Sequence, residues 1–358
     1  MMISIIGFLI TNERKIKMAF FKKMSFNRAK KGAESNVRED QYKLANCYYN
    51  GVGVEQDYRA AVKWYIKASQ SKFIYYKGET CDMSVREAWY QLGLCYENGT
   101  GVPQDDFTAL RMFIEVIPVI PRDAERVTDE LKRKAEDQIK RILSKLLQFA
   151  ESEDAQIQYQ LGWCYRYKAS NYLPTKGDWE TNKKMALHFF QKSAEKGYAE
   201  AAYELAYLYE CDDEKCALEW YKKASELGSN HAQYELAEAY RRGNLGLQKN
   251  ETLAIEYYKK AALCTALGSA WFVSEAMENI GNLYYKKSDY KSARFWYLKA
   301  IEPREDPWFR THGIVYYQLG CISLAEGNKQ SALEWFNKGI DYDHDTSCLT
   351  ERESLLRK

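Results

Sequence analysis

The residues in this chain that could do chemistry are few and badly spaced for it. Four histidines, His188, His231, His312 and His344, are spread through 358 residues. None stands in a zinc-protease spacing, and no Gly-x-Ser-x-Gly elbow offers a nucleophile. Cys211 and Cys216 enclose Asp-Asp-Glu-Lys, but a tetrahedral zinc site needs a second Cys/His pair and none is nearby. The tail Asp341-Tyr342-Asp343-His344-Asp345 holds hard oxygen donors, for which a charged helix-terminal loop is the ordinary use. Gly51-Val52-Gly53-Val54 and Gly99-Thr100-Gly101-Val102 are glycine-rich, yet no Gly-Lys-Ser/Thr ending or strand context supports phosphate binding. No catalytic residue, metal or cofactor is expected, and the chain does not read as an enzyme.

The elements around these residues are more informative. Seven times a Leu or Ile is followed by Gly or Ala: Leu44-Ala45, Leu92-Gly93, Leu161-Gly162, Leu205-Ala206, Leu236-Ala237, Ile280-Gly281 and Leu319-Gly320. Each is followed by an alanine with large, mostly aromatic residues three and four positions later. These are Ala61/Trp64-Tyr65, Ala109/Met112-Phe113, Ala186/Phe189-Phe190, Ala217/Trp220-Tyr221, Ala254/Tyr257-Tyr258, Ala293/Trp296-Tyr297 and Ala332/Trp335-Phe336. Offsets of three, four and seven put such residues on one face of a helix, not of a strand. Small residues let two helix axes approach, and the leucine and an aromatic fill the space beside the contact. The second-helix face is predicted to carry the alanine, the aromatic at three and a small residue at seven, as in Ala61, Trp64 and Ala68. One helix pair cannot bury both faces, so neighbours must stack.

Cysteine usage and charge fit this reading. Cys47, Cys95 and Cys164 each fall three residues after the helix leucine, where other copies hold Leu208, Ala239, Leu283 and Ile322. There a cysteine serves as a small buried apolar residue. With an odd total of 9 cysteines and no fixed pair per copy, a reducing, cytoplasmic setting is expected. The 52 basic and 50 acidic residues give no global field toward nucleic acid or an anionic membrane. The opening MMISIIGFLI is too short to span a bilayer. Residues 1–18 are expected to be disordered or a misassigned start, with Met18 and Met24 as alternative starts. A weak membrane anchor, an apolar tip followed by basic residues, is the less favoured reading.

The string Tyr-x-Leu-Ala/Gly-x-x-Tyr, Gly-x-Gly-Val-x-x-Asp, Ala-x-x-Trp-Tyr-x-Lys-Ala resembles the Sel-one-like repeat of the tetratricopeptide-like superfamily. Tyr42 through Ala68 is its best copy, and Tyr90 through Phe113 follows it until Met112 replaces the tryptophan. The last two copies lack the Gly-x-Gly-Val loop and look like plain tetratricopeptide repeats. The resemblance covers about residues 39–117 and 153–340. It implies an all-α fold, a right-handed α/α superhelix (solenoid) of about seven Sel-one-like/tetratricopeptide-like helix pairs.

The expected organisation is a capping helix over residues 19–33 with repeats one and two, together 19–117, and an inserted segment, 118–152. Repeats three to seven occupy 153–340, and a tail or short closing helix 341–358. Residues 123–150 are predicted to form one amphipathic helix with Val127, Leu131, Ala135, Ile139, Ile142, Leu146 and Ala150 on one side. It either packs on the repeats or protrudes.

The family consists mostly of adaptors and scaffolds, so the resemblance implies a non-enzymatic scaffold that binds a protein or peptide in its concave groove. In such folds the first-helix stripe at −2, +2 and +5 from the leucine faces that groove. The candidate residues are Tyr42, Asn46 and Tyr49; Tyr90, Leu94 and Glu97; Tyr159, Trp163 and Arg166; Tyr203, Tyr207 and Glu210; Tyr234, Glu238 and Arg241; Asn282 and Tyr285; and Tyr317. Tyrosine, tryptophan and arginine give large contact area and charge pairing. The −2 tyrosines have a second reading, as packing between adjacent repeats. No small-molecule substrate, nucleic acid or membrane partner is expected, and the oligomeric state is left open. The alternative function is that of bacterial relatives linked to β-lactam or cell-wall hydrolysis, which carry a disulfide pair in each repeat. This chain departs from them, with no cysteine between residues 217 and 263. A further alternative is binding of nucleic acid or an anionic surface through the basic residues of segment 11–31.

Overall fold

The computed structural model describes residues 2–35, 37–69, 83–117, 128–173, 178–263, 270–302, 313–343 and 346–357. His312, His344, Asp345, Cys81, Cys264 and residues 123–127 of the expected long helix lie outside them. The described residues are helical, with no strand among them. They divide into two compact units, residues 1–152 with 163–183, and residues 153–162 with 184–358.

The first unit begins with α1 (Met2–Glu34), followed by α2 (Arg38–Asn50), α3 (Tyr58–Ser69), α4 (Met83–Asn98), α5 (Asp106–Val116) and α6 (Asp129–Gln148). It also holds the end of α7 (Ala155–Arg166), a 3-10 turn (Lys168–Tyr172) and the start of α8 (Trp179–Glu195). α1 is a helix from Met2 rather than from about residue 19. Phe26, Ala29 and Ala33, spaced for one helix face, are buried against Leu44 and Cys47 of α2. α6 begins at Asp129, where the Thr128 hydroxyl accepts from the Leu131 N–H. Its apolar face, Ala135, Ile139, Ile142, Leu143 and Leu146, is buried, and Lys145 Nζ meets Asp106 Oδ2 of α5 at 3.0 Å. The helix is packed on its unit and does not protrude.

The second unit contains the rest of α7 and α8, then α9 (Ala199–Tyr209), α10 (Glu214–Glu226), α11 (Asn230–Arg242), α12 (Glu251–Ala262) and α13 (Ala270–Lys286). It continues with α14 (Tyr290–Ile301), α15 (Gly313–Ala325), α16 (Lys329–Asp343) and α17 (Thr346–Leu356). Consecutive helices pack most closely as pairs: α2 with α3, α4 with α5, α9 with α10, α11 with α12, α13 with α14, and α15 with α16. α17 closes the last pair, with Cys348 fully buried beside Ala332 and Phe336.

One junction recurs within these pairs. Four residues before the second-helix alanine stands an Asp or Asn whose backbone N–H reaches back to the last turn of the first helix. Asp57 donates to the Tyr48 carbonyl, Asp105 to Tyr96, Asp213 to Tyr209, Asn250 to Tyr240, Asp289 to Tyr284 and Asn328 to Ser323. The same side chains then accept from N–H groups of the new helix, as Asp105 Oδ1 does from Phe107 and Thr108 at 3.0 and 3.1 Å. An orphan carbonyl at one helix end and orphan donors at the next are satisfied together. In the longer connections the second glycine lets backbones touch. Gly53 has φ 75°, and a Cβ there would collide with the Lys22 backbone of α1.

Candidate partner-binding surface

The site is built outward from one ring per pair. Tyr65, Phe113, Phe190, Tyr221, Tyr258, Tyr297 and Phe336, each four residues after its alanine, are completely buried. The ring at position three, which the periodicity puts beside the alanine, is only half-buried at Trp64, Trp220, Trp296 and Trp335. Geometry explains the difference. The small first-helix residue lies directly against the ring at four, and a Cβ on Gly93 would stand 2.5 Å from Phe113 Cε1. The ring at three sits at the edge instead, under a lysine: Lys67 Nζ is 4.4 Å from the Trp64 centroid and Lys223 Nζ 4.6 Å from that of Trp220.

A buried tyrosine hydroxyl needs an acceptor, and the stripe residues supply it. Asn46 Oδ1 accepts from Tyr65 at 2.6 Å and Asn282 Oδ1 from Tyr297 at 2.7 Å. Glu238 accepts from Tyr258. Where Tyr207 occupies the +2 position, Glu210 at +5 accepts from Tyr221 at 3.3 Å. Where the ring is phenylalanine, the +2 residue is Leu94, Trp163 or Cys321, none of them a strong acceptor. Tyr42, Tyr90, Tyr159, Tyr203, Tyr234 and Tyr317, at −2, pack on the core ring of their own pair, with centroids 5.5 to 6.1 Å apart.

In the first unit the rest of the predicted stripe is engaged locally. Tyr49 meets Tyr58 edge-on, with centroids 5.2 Å apart, and Leu94 is half-buried. Glu97 is buried and ion-paired with Arg141 of α6. Trp163 lies edge-on to Phe107 at 5.3 Å and beneath Arg111, while Arg166 covers Tyr167. In the second unit Tyr159 also touches Tyr198, and Tyr203 lies against His231 of α11. Tyr234 contacts Phe272 of α13, so these tyrosines reach the next pair too. Tyr285 packs on Tyr290. Arg241 Nη2 grips Glu238 Oε2 at 2.7 Å, and Arg242 does so at 2.6 Å. Tyr207 alone of the predicted set is exposed, at 49%.

Beside this stripe a cavity of about 250 Å³ is lined by Glu210, Tyr234, Glu235, Glu238, Ala239, Arg242, Asn244 and Leu245. Burial, then the charges of Glu210 and Glu238, push the Glu235 carboxyl up to about 7. Burial also opposes ionisation of Glu238, but hydrogen bonds from Arg241 and Tyr258 and the two arginine charges outweigh it and hold its carboxyl below the usual range. Two glutamates three residues apart are thus tuned in opposite directions. Glu235, Arg242 and Leu245 were not legible as site residues from the stripe alone. The signal is the glutamate one residue before Leu205 and Leu236, a register outside the three positions considered.

Residues 39–72, 87–115, 155–198, 199–229 and 230–264 match the Sel1 repeat, and residues 274–306 and 314–346 the tetratricopeptide repeat. The chain is a Sel1 repeat protein of the tetratricopeptide-like superfamily. The Gly-x-Gly-Val connections fall in the first two Sel1 repeats, and the two tetratricopeptide repeats use the short junctions at Asp289 and Asn328. A Sel1 repeat protein from Oxalobacter formigenes is 20% identical, with 92% of this chain and 79% of that one covered and a TM-score of 0.42. The protective antigen c5321 of uropathogenic Escherichia coli, which displays an SLR fold, is 21% identical, with 98% and 90% covered and a TM-score of 0.33. YrrB, a TPR protein with an unusual peptide-binding site, is 20% identical, with 58% and 97% covered and a TM-score of 0.38. No curated protein matches the chain.

Among the described residues of this Sel1 repeat protein, no three His, Cys, Asp or Glu side chains are grouped to hold a metal ion. Cys47, Cys95, Cys164, Cys211, Cys216 and Cys321 are free thiols. Burial pushes the Cys164 thiol strongly upward and the Cys95 thiol up to about 12, so neither is a ready nucleophile. No described helix is long and apolar enough to cross a membrane.

Proposed function

We propose that the chain is a non-enzymatic adaptor that holds a peptide or protein partner along the first-helix stripe of its second unit. Sel1 and tetratricopeptide repeat proteins generally mediate protein–protein interaction. The observation that carries the finer reading is Tyr207. Tyr207 is 49% exposed on α9, three residues before Glu210, which lines the cavity together with Glu235 and Glu238. An aromatic anchor three residues from a carboxylate of that cavity suits a partner offering an apolar side chain and a Lys or Arg. Tyr203, packed on Tyr221 and His231, and Arg241, which holds Glu238, contribute with the remaining stripe residues mainly by fixing the rings and carboxylates of the pairs. Buried high-pKa thiols fit a cytoplasmic protein. The alternative of a cysteine-stapled hydrolase needs paired thiols in each repeat, and Cys47, Cys95, Cys164, Cys211, Cys216 and Cys321 are unpaired.

The test is photo-crosslinking with a benzophenone amino acid at Tyr207, compared with the same group at the exposed Lys222 of α10. A partner captured reproducibly from Tyr207 and not from Lys222, and lost in a Glu235→Gln/Glu210→Gln background, supports the reading. Indistinguishable captures from the two positions overturn it.

A further inference from the structure

α1 rests on α2 through one face only. Phe26, Ala29 and Ala33 fill that contact with Leu44 and Cys47, and Lys23 Nζ lies at its rim, 5.1 Å from the Phe26 ring centroid. At about 100° of rotation per residue the opposite face carries Phe20, Met24, Arg28 and Lys31. All four are exposed. Phe20 is 62% exposed and Met24 52%, and Phe21, whose ring meets that of Phe20 edge-on at 6.2 Å, is 66% exposed. Two rings and a thioether grouped in solvent mark a surface that something covers.

The charge of the same stretch is one-sided. Residues 18–33 hold five basic side chains, Lys22, Lys23, Arg28, Lys30 and Lys31, and no acidic one. Glu34 meets Lys30 at 3.9 Å and Asp40 of α2 lies against Gly32, so these two carboxylates stand past the end of the exposed row. The 52 basic and 50 acidic residues of the whole chain average the local excess away, which is why composition alone gave no reason to expect a membrane partner.

Both features call for the same cover. The rings and the thioether need an apolar medium, and Arg28 and Lys31, further along the same row, need anions. A bilayer containing anionic lipid supplies the two together, with acyl chains at the headgroup boundary for the first and headgroup charges for the second. Nucleic acid would answer the charges but not the methionine, and a single convex helix offers no groove to follow its backbone.

We propose that α1 docks in the plane of an anionic membrane surface through Phe20, Phe21 and Met24, with Arg28 and Lys31 on the headgroups. The helix lies on the bilayer and does not cross it. Apolar insertion and charge act jointly, since three side chains bury little area and a few surface charges are screened by salt. This face belongs to the first unit and the proposed peptide site to the second, so the failure of one leaves the other to be measured.

The test is flotation of the full-length protein with vesicles of phosphatidylcholine alone or of phosphatidylcholine with phosphatidylserine, with circular dichroism and a thermal melt as folding controls. Wild type is expected to float with the phosphatidylserine vesicles, to stay behind with pure phosphatidylcholine, and to lose binding as salt is raised. Phe20→Ser/Met24→Ser and Arg28→Glu/Lys31→Glu should each weaken partition at least tenfold with unchanged melts, because all four side chains stand in solvent. Lys215→Glu/Lys222→Glu makes the same charge change at exposed positions of the second unit and should float like wild type. Wild type that stays behind with both kinds of vesicle overturns the proposal, whether it binds single-stranded RNA, dimerises or does neither. So does flotation that the Phe20/Met24 variant keeps, or that the second-unit variant loses as fully as the Arg28/Lys31 variant.

Discussion

The Tyr65 hydroxyl of α3 donates to Asn46 Oδ1 of α2 at 2.6 Å, and this bond decides what each residue is for. Asn46 sits in a register expected to face a partner, yet its carbonyl oxygen satisfies a ring buried inside the pair. Replacing it leaves a phenol without an acceptor in an apolar setting. Asn46→Leu should cost about 1–3 kcal/mol by urea unfolding. Asn46→Leu/Tyr65→Phe, which copies the natural Leu94/Phe113 combination, should recover most of that loss. A double variant no more stable than the single one would show that the bond is incidental.

The second prediction concerns volume. Gly93 abuts the Phe113 ring and Gly162 the Phe190 ring, while Ala217 is completely buried. Gly162→Leu or Ala217→Leu should overpack the helix crossing and lower stability by about 1–3 kcal/mol. Unchanged melting temperatures for both would contradict the close approach of the paired helices.

Helix starts give the third. Asp105 accepts from two backbone N–H groups, and its Oδ2 accepts from the Thr108 hydroxyl at 2.6 Å. Asp105→Ala should cost about 1 kcal/mol. Asp105→Asn should keep most of the stability, because an amide oxygen still accepts.

The fourth is a pH dependence. The Glu235 carboxyl is raised in the folded chain to about 7, by burial and then by Glu210 and Glu238, with His231 and Arg242 acting against the rise. A carboxyl raised on folding binds its proton more tightly in the folded state. Its ionisation therefore costs nothing below the ordinary carboxyl pKa. The cost grows as pH climbs toward about 7 and is constant above it. Glu235→Gln should raise the melting temperature at pH 8 and leave it unchanged at pH 4. Equal gains at both pH values would assign the effect to something other than charge.

The pairing of helices was legible because Leu-Gly/Ala and Ala-aromatic offsets are local to one helix. Which aromatic fills the pair was harder to read. Trp64 and Tyr65 are adjacent on the helix, and only the neighbour's small residue shows that Tyr65 turns inward. The match between Tyr65, Tyr258 or Tyr297 and a +2 acceptor links two helices across connections of unequal length, so no fixed spacing displays it. The Asp or Asn four residues before the alanine was fully visible at Asp213, Asn250, Asp289 and Asn328, but only Asp57 and Asp105 stood out beside their Gly-x-Gly-Val loops. Most candidates for the expected groove also make contacts within the chain, for the same reason. Residue type announces the ability to bind, and only the fold shows whether a neighbour within the chain already uses it.

The backbone link from Tyr240 to Asn250 spans ten positions where that from Tyr209 to Asp213 spans four, yet both deliver the next helix to the same carbonyl. The length of the intervening stretch is thereby free to vary without moving the start of the next helix. Gln248, exposed and outside the cavity lining, is accordingly a natural port for a fluorophore, and such a label should report on the second unit without disturbing how its helices meet.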